Sequence, residues 1–155
     1  MKGFLAGLAA LAAFVATPAM ATVTAADPAL VAKAMVKMGY RAELGKDESG
    51  DPYITSASSG STFLVFFFGC KKGVNCTTVQ FFAGFDKPSN ASLAAMNQWN
   101  RDNRFGRGYL ADNGSARLEM DLDLDDGGMS DLLFADNVEF WVAIMAKFEK
   151  YVRRK

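Results

Sequence analysis

Short stretches of alternating or continuous apolar residues recur along the chain, and the most apolar of them is residues 62–85, TFLVFFFGCKKGVNCTTVQFFAGF. Two runs rich in Phe, Val and Thr flank KKGVN, a five-residue connection that contains glycine. This pattern is typical of a β-hairpin, because β-branched and aromatic residues favour strands and glycine favours the turn. We therefore place a hairpin here and assemble the other elements around it.

The only two cysteines of the chain, Cys70 and Cys76, lie at the ends of this connection. If they face each other across the hairpin, the strand register follows, because side chains alternate between faces along a strand. One face then carries Phe63, Val65, Phe67, Val79, Phe81 and Ala83. The other face carries Leu64, Phe66, Phe68, Thr78, Gln80 and Phe82. Both faces hold large apolar side chains, so each is expected to be covered by something.

Helical spacing of apolar residues predicts three helices. The first begins after the N-cap Asp27 and ends at Gly39, the second is capped within residues 86–90 and extends to about Phe105, and the third begins after the N-cap Ser130. Their apolar stripes are Leu30, Val31, Ala34, Met35 and Met38 in the first, Leu93, Met96 and Trp99 in the second, and Phe134, Val138, Trp141, Met145, Phe148 and Val152 in the third.

Four further strands complete the predicted sheet. Residues 40–44 and 53–55 form two of them, and the other two meet at Asp112-Asn113-Gly114, where the Asn-Gly pair is a strong turn signal. In the last strand the apolar side chains face one way and Arg117, Glu119, Asp121, Asp123 and Asp125 face the other. The order α-β-β-β-β-α-β-β-α, with short turns between neighbouring strands, predicts an α+β domain with an antiparallel sheet of about six strands.

The first 21 residues have the three-part pattern of a signal peptide. Lys2 is followed by an apolar run over residues 4–15 and by the small-x-small sequence Ala19-Met20-Ala21. The run is too short to span a membrane, so no stable membrane anchor is expected after cleavage. Residues 22–155 are expected to form a single periplasmic or secreted domain whose start, residues 22–26, is frayed.

Composition removes several classes of function. The chain has no histidine, which excludes Ser-His-Asp and Cys-His nucleophile systems and imidazole metal ligands. Lys and Arg together number 17 and match 17 Asp and Glu, so there is no electrostatic case for a nucleic-acid partner. Two cysteines in an exported chain indicate a structural disulfide, since a redox pair would have C-x-x-C spacing. No cofactor and no metal are expected.

The acidic strand of residues 121–125 is the most tempting site for chemistry. Alternation places Asp121, Asp123 and Asp125 on one face, and carboxylates are the ligands that hard cations prefer. The EF-hand pattern fails, however, because Asp126 stands at the required glycine and Leu132 at the required glutamate. We interpret the strand as a solvated face and keep a cation or small-molecule sensor as the alternative.

A hydrolase with paired carboxylates is a less favoured alternative. Asp121 with Glu119, or Asp47 with Asp51, would supply the pair. Such pairs must flank a cleft at a set separation, and nothing in the spacing indicates a cleft. We therefore expect a protein that is not an enzyme.

The segment of residues 96–110, MNQWNRDNRFGRGYL, carries a resemblance to a known family. Together with the strand LEMDLDL, Gly127-Gly128 and the last helix with Trp141 and Phe148, it resembles the YbjN family, a bacterial group described as sensory transduction regulators. The residues that carry the resemblance in this segment are Asn97, Trp99, Asn100, Arg104, Phe105 and Tyr109.

The resemblance covers roughly residues 27–152 and implies both a fold and a type of partner. The implied fold is similar to type III secretion chaperones, which bind polypeptides and are often dimeric, and no catalytic activity is implied. The signal peptide and the Cys70/Cys76 pair depart from the family pattern, mark an exported relative and argue against a direct cytoplasmic signalling role.

Two interpretations apply to the residues of this segment. In the simpler one, Trp99, Phe105 and Tyr109 fill the core with Trp141, while Asn100 and Arg104 bond local backbone carbonyls or carboxylates. In the other, Asn100 and Arg104 line a recognition groove.

The second face of the hairpin is the predicted binding surface. The helical stripes suffice to cover one side of the sheet, and the face with Phe63 and Phe81 is the better apolar match for them. The face left over would expose a contiguous apolar patch, which in soluble proteins marks an interaction site. We therefore expect a non-enzymatic regulatory module that binds a protein partner, or a second copy of itself, through Leu64, Phe66, Phe68 and Phe82. The alternative is that the first helix folds over this face and buries it.

Overall fold

The computed structural model describes residues 22–154, so the predicted signal peptide at residues 1–21 lies outside the described residues. Within them the chain is an α+β structure with three helices and a six-stranded antiparallel sheet, in the order that the sequence predicts. A two-stranded sheet is added to this plan. The elements are β1 Thr22–Val23, α1 Pro28–Lys37, β2 Glu43–Lys46, β3 Pro52–Ser58, β4 Ser61–Phe68, β5 Thr78–Phe85, α2 Leu93–Asp102, β6 Arg107–Leu110, β7 Ala116–Asp123, β8 Met129–Ser130 and α3 Asp131–Val152.

The large sheet has the strand order β2-β3-β4-β5-β7-β6, and each neighbouring pair is antiparallel. At its centre the β4–β5 hairpin has the predicted register, with Val65 opposite Phe81 and Leu64 opposite Phe82. Since successive side chains of a strand point to opposite faces, this register decides which phenylalanines enter the core.

All three helices contribute to a core on one face of the large sheet. Ile54, Val65 and Phe81 of the sheet are fully buried there, together with Met35 of α1 and Trp141 of α3. The predicted stripe of α3 is buried along its whole length. Because α1 packs into this same core and against α3, it does not cover the opposite face.

The beginning of the described chain is not frayed, and that prediction is wrong. β1 pairs with β8, and Val23 and Ala25 are only 2% and 0% exposed. Gly128 makes this close approach possible, because a Cβ atom at that residue would lie 2.1 Å from the carbonyl oxygen of Val23. Burial of two small apolar side chains therefore ties down a segment whose sequence has no strong strand pattern.

The predicted limits of α2 are also wrong at both ends. The helix begins after Ser92, whose hydroxyl caps the backbone N–H of Ala95 at 3.1 Å, so Leu93 lies in the first turn and is 74% exposed instead of buried. Asn90 does not cap the helix, because its backbone N–H and its side-chain amide donate to carbonyl oxygens at the end of α3. At the other end, extended backbone at Asn103 stops the helix before Phe105.

Two strands differ from their predicted limits. β2 begins at Glu43, three residues later than predicted, and β3 extends over seven residues, from Pro52 to Ser58. Among the described residues no helix is both long enough and apolar enough to cross a membrane.

The Sγ atoms of Cys70 and Cys76 lie at bonding distance, 2.14 Å, beside the β4–β5 connection. We predict that the double variant Cys70→Ala/Cys76→Ala is less stable by about 2 kcal/mol, because the bond restricts a short loop in the unfolded chain. Denaturant unfolding of the parent and the variant measures this difference. Mass spectrometry of the parent should find the two cysteines linked within one chain, and free thiols would contradict the prediction.

Candidate functional site

An aromatic cluster occupies the face of the sheet opposite the helices. Phe66 is at its centre, with ring centroids 6.3 Å from Tyr53, 6.5 Å from Phe68 and 5.6 Å from Phe82. Leu64 pairs directly with Phe82 and completes the set. Phe68 is 47% exposed and the other four are half-buried by one another. We call Tyr53, Leu64, Phe66, Phe68 and Phe82 the aromatic patch.

A polar cluster continues the same face onto β6 and β7. Register places Glu119 next to Phe82 on one side and next to Arg107 on the other. Glu119 is only 8% exposed, and its carboxylate accepts hydrogen bonds from the Arg107 guanidinium and the Tyr109 hydroxyl. The guanidinium of Arg117 lies 5.7 Å from the ring centroid of Phe82, which joins this cluster to the aromatic patch.

The environment of the polar cluster changes two protonation equilibria. Partial burial raises the pKa of Tyr109 above its ordinary value, and the hydrogen bond to Glu119 adds to this effect while Arg117 opposes it. The hydrogen bond and the negative charge of Glu119 raise the pKa of Arg107. Both shifts keep the protons on these two donors, so Arg107 stays charged and Tyr109 stays a phenol at neutral pH, and each donates a hydrogen bond to Glu119.

The carboxylates of β7 do not converge on a common point. Asp121 accepts a hydrogen bond from the Gln80 amide at 2.8 Å, and Asp123 accepts one from the backbone N–H of Asp125 at 3.0 Å. Within residues 22–154 no group of three or more acidic or cysteine side chains is placed to hold a metal ion. Asp47, which the hydrolase alternative pairs with Asp51, instead caps the backbone of its own turn.

The segment with the family motif holds α2 against β6. The indole N–H of buried Trp99 donates to the carbonyl of Gly106 at 3.1 Å. Asn100 makes a pair of hydrogen bonds with Gly108, one from its amide to the carbonyl at 2.9 Å and one from the backbone N–H to its side-chain oxygen at 2.8 Å. The expectation that Asn100 bonds local backbone carbonyls is confirmed.

Other residues of the motif lie outside the core. Phe105 is 54% exposed, because α2 ends before it, and its ring stacks on Phe140 of α3 at 5.0 Å between centroids. The Arg104 guanidinium lies 5.0 Å from the Phe105 ring centroid. Among the described residues it forms no ion pair with a carboxylate. Asn97 is exposed. The placement of Phe105 in the core is therefore wrong.

Tyr109 is likewise outside the core. It lies on the open face of the sheet, where it is the cross-strand partner of Arg117 in β7. The sequence contained the signal for this position. Centring the turn on Asn113 sets Tyr109 against Arg117, and the alternation of β7 already turns Arg117 outward. Local patterns do not bring Arg107, Tyr109 and Arg117 together, because their placement on one face requires the register between β6 and β7.

Comparison with known families agrees with the resemblance seen in the motif. The model of the YbjN family, described as "Putative bacterial sensory transduction regulator", matches residues 27–154. No curated protein and no solved structure shows a significant match.

Neighbouring residues of β4 provide a matched test of which face is covered. We predict that Phe66→Asp stays folded, with a thermal midpoint within about 5 °C of the parent, because the carboxylate reaches water on the open face. Phe67→Asp should unfold the domain, since Phe67 is 2% exposed and an unpaired buried carboxylate costs more than about 4 kcal/mol. Thermal unfolding followed by circular dichroism compares them, and equal loss of structure in both would contradict the assignment.

Proposed function

Because the chain belongs to the YbjN family, we propose that it is a regulatory protein that acts by binding an apolar segment of another polypeptide on the open face of its sheet. The observation that carries this proposal is the aromatic patch, which lies on the side of the sheet that none of the three helices covers. Chaperone-like holding of a partner segment is the form of binding that such a surface favours.

The patch has the composition of a protein-binding surface. Aromatic residues are enriched at interfaces because they bury a large area at a small cost in side-chain entropy. Phe66 has three aromatic neighbours and is therefore held in place before any partner arrives. A contiguous apolar surface of this kind is uncommon on monomers that have no partner.

The polar cluster supplies a rim on one side of the patch. Arg107, Glu119 and Tyr109 are already bonded to one another, so they can flank a partner without leaving an unpaired charge beneath it. Asp121 and Asp123 are exposed beside the patch and favour a partner with basic residues next to its apolar segment. The partner that this face fits is thus a polypeptide with an apolar stretch and adjacent Lys or Arg.

We further propose that the protein works outside the cytoplasm, in the periplasm or as a secreted protein. The support is the signal-peptide pattern of residues 1–21 and the cysteine pair at bonding distance, because disulfides persist in oxidising compartments. Residues 22–155 are then the form that meets a partner.

Affinity capture with matched variants tests the proposed binding. Purified residues 22–155 are immobilised as the parent, as Phe66→Asp and as Leu93→Asp, which makes the same kind of change at an exposed leucine of α2. Proteins that the parent and Leu93→Asp both retain, and Phe66→Asp does not, are identified by mass spectrometry. Each candidate is then purified and titrated directly.

We predict that Phe66→Asp weakens the direct binding of such a partner by at least about 30-fold, equivalent to about 2 kcal/mol, because a central aromatic anchor is replaced by a charge. Leu93→Asp should bind like the parent. A purified candidate that binds Phe66→Asp as tightly as the parent, or a capture in which the two variants retain the same proteins, would contradict the proposal.

A further inference from the structure

The outer surface of α3, on the side of the helix opposite its buried stripe, is a second surface that no helix or strand among the described residues covers. Phe140 and Leu133 are exposed there by 52% and 51%, and a shallow groove of about 450 Å³ runs along Asp136, Glu139, Phe140 and Ala143. At 100° per residue, six residues fall within about 100° of one another, with Ala143 near the middle, and so form one stripe along the helix: Asp136, Glu139, Phe140, Ala143, Lys147 and Lys150.

The charges along this stripe change sign at its midpoint. Asp136 and Glu139 precede Ala143, whereas Lys147 and Lys150 follow it. Among residues 22–154 none of these four forms an ion pair, and the Lys147 ammonium donates instead to the neutral amide oxygen of Asn103 at 2.6 Å. Both halves of the stripe therefore present charge that is not neutralised within the described chain.

Glu149 lies between Lys147 and Lys150 in the sequence, but its side chain is bonded to Ser61 and Arg153. Glu149 accepts hydrogen bonds from the Ser61 hydroxyl at 2.6 Å and from Arg153 at 2.9 Å. The Ser61 hydrogen bond and the nearby Arg153 lower the pKa of Glu149, although partial burial opposes them. Glu149 thus belongs to the contact between α3 and the sheet and leaves the outer stripe basic.

We infer that the outer stripe of α3 binds the same stripe of a second copy of this chain, antiparallel, about a two-fold axis at Ala143. Asp136 and Lys150 lie seven residues on either side of Ala143, about 10 Å along the helix, and Glu139 and Lys147 lie four residues, about 6 Å, on either side. An antiparallel pair centred on Ala143 therefore sets Asp136 against Lys150 and Glu139 against Lys147 of the other copy, twice over by symmetry.

Side-chain size supports the same axis. Ala143 is the smallest residue of the stripe and lies where two helices would cross, which allows the interaxial distance of 8–10 Å that helix packing requires. Phe140, lying one turn before Ala143, would then fill the space beside the point where the two helices cross. Residues 22–155 carry 16 basic and 17 acidic side chains, so two copies repel each other little as whole molecules.

This pairing is independent of the proposed partner site. The stripe lies on the outside of the helical layer, so the two sheets of the dimer would turn their aromatic patches outward and leave both free. Dimerisation and partner binding can therefore fail separately, and each has its own variants.

Charge reversal in matched sets tests the inference on purified residues 22–155. The sets are Asp136→Lys/Glu139→Lys, Lys147→Glu/Lys150→Glu, and all four changes in one chain. Lys71→Glu/Lys72→Glu in the β4–β5 connection makes the same change of net charge as Lys147→Glu/Lys150→Glu, but away from the helix, and is the control for that set. Sedimentation velocity over a concentration series gives the dimer dissociation constant, and circular dichroism reports the fold of each variant.

We expect each double reversal on α3 to raise the dimer dissociation constant at least about 10-fold, because four attractive contacts become repulsive. An equimolar mixture of the two should form a heterodimer, and the fourfold variant should dimerise like the parent, since each restores opposite charges across the axis. The Lys71/Lys72 control should dimerise like the parent. A parent that stays monomeric at every concentration, or double reversals that neither weaken association nor rescue each other, would overturn the inference.

Cysteine cross-linking tests the axis itself. Ala143→Cys should form a disulfide-linked dimer on mild oxidation, because residue 143 meets its own copy at the axis, whereas the exposed control Ala94→Cys on α2 should remain monomeric. Equal cross-linking of the two variants would contradict the antiparallel pairing at Ala143.

Discussion

Packing of α3 against the β4–β5 hairpin decides which side chains of the sheet enter the core. The indole of Trp141 lies between Phe63 of β4 and Phe81 of β5, with ring centroids 6.0 and 5.6 Å away. Side chains alternate along a strand, so burying Phe63 and Phe81 beneath α3 necessarily turns Phe66 and Phe82 to the other side. The aromatic patch is thus a consequence of how the core forms, and a one-residue slip of the register would exchange the two faces.

The sequence predicts those parts of the fold that follow from local periodicity. The stripe of α3, the register of the hairpin and the outward row of Arg117, Glu119 and Asp121 are all visible as periods of 3.6 or 2. The features that it does not predict depend on distant contacts. Burial of Val23 requires β8, and Asn90 is drawn away from α2 by carbonyl groups at the end of α3, which no local pattern reveals.

The candidate site likewise combines residues that local periodicity predicts with residues whose placement depends on pairing between strands. The alternation in β4 and β5 is sufficient to propose Leu64, Phe66, Phe68 and Phe82 as a surface. The contribution of Tyr53 depends on pairing between β3 and β4, and that of Arg107 and Tyr109 on pairing between β6 and β7. The helical stripe of α2 predicts Phe105 in the core, but the extended backbone at Asn103 removes it from that stripe.

The two uncovered surfaces lie on opposite sides of the molecule and have different chemistry. The sheet face is aromatic with a polar rim, which suits a partner with an apolar segment, whereas the outer stripe of α3 carries opposite charges in its two halves and suits a second copy. A dimer formed through α3 would present two aromatic patches at once. A partner that carries two apolar segments would then bind more tightly, because binding of the first segment holds the second at a high effective concentration near the other patch.

Partner binding at the aromatic patch requires that its rings be accessible to solvent in the isolated protein. Relaxation of phenylalanine ring protons by a soluble paramagnetic agent measures this most directly, residue by residue, on purified residues 22–155. We expect strong relaxation at Phe66, Phe68 and Phe82 and weak relaxation at Phe63, Phe67 and Phe81. Weak relaxation at all six rings would show that the face is covered within the protein and would rule out partner binding at the patch.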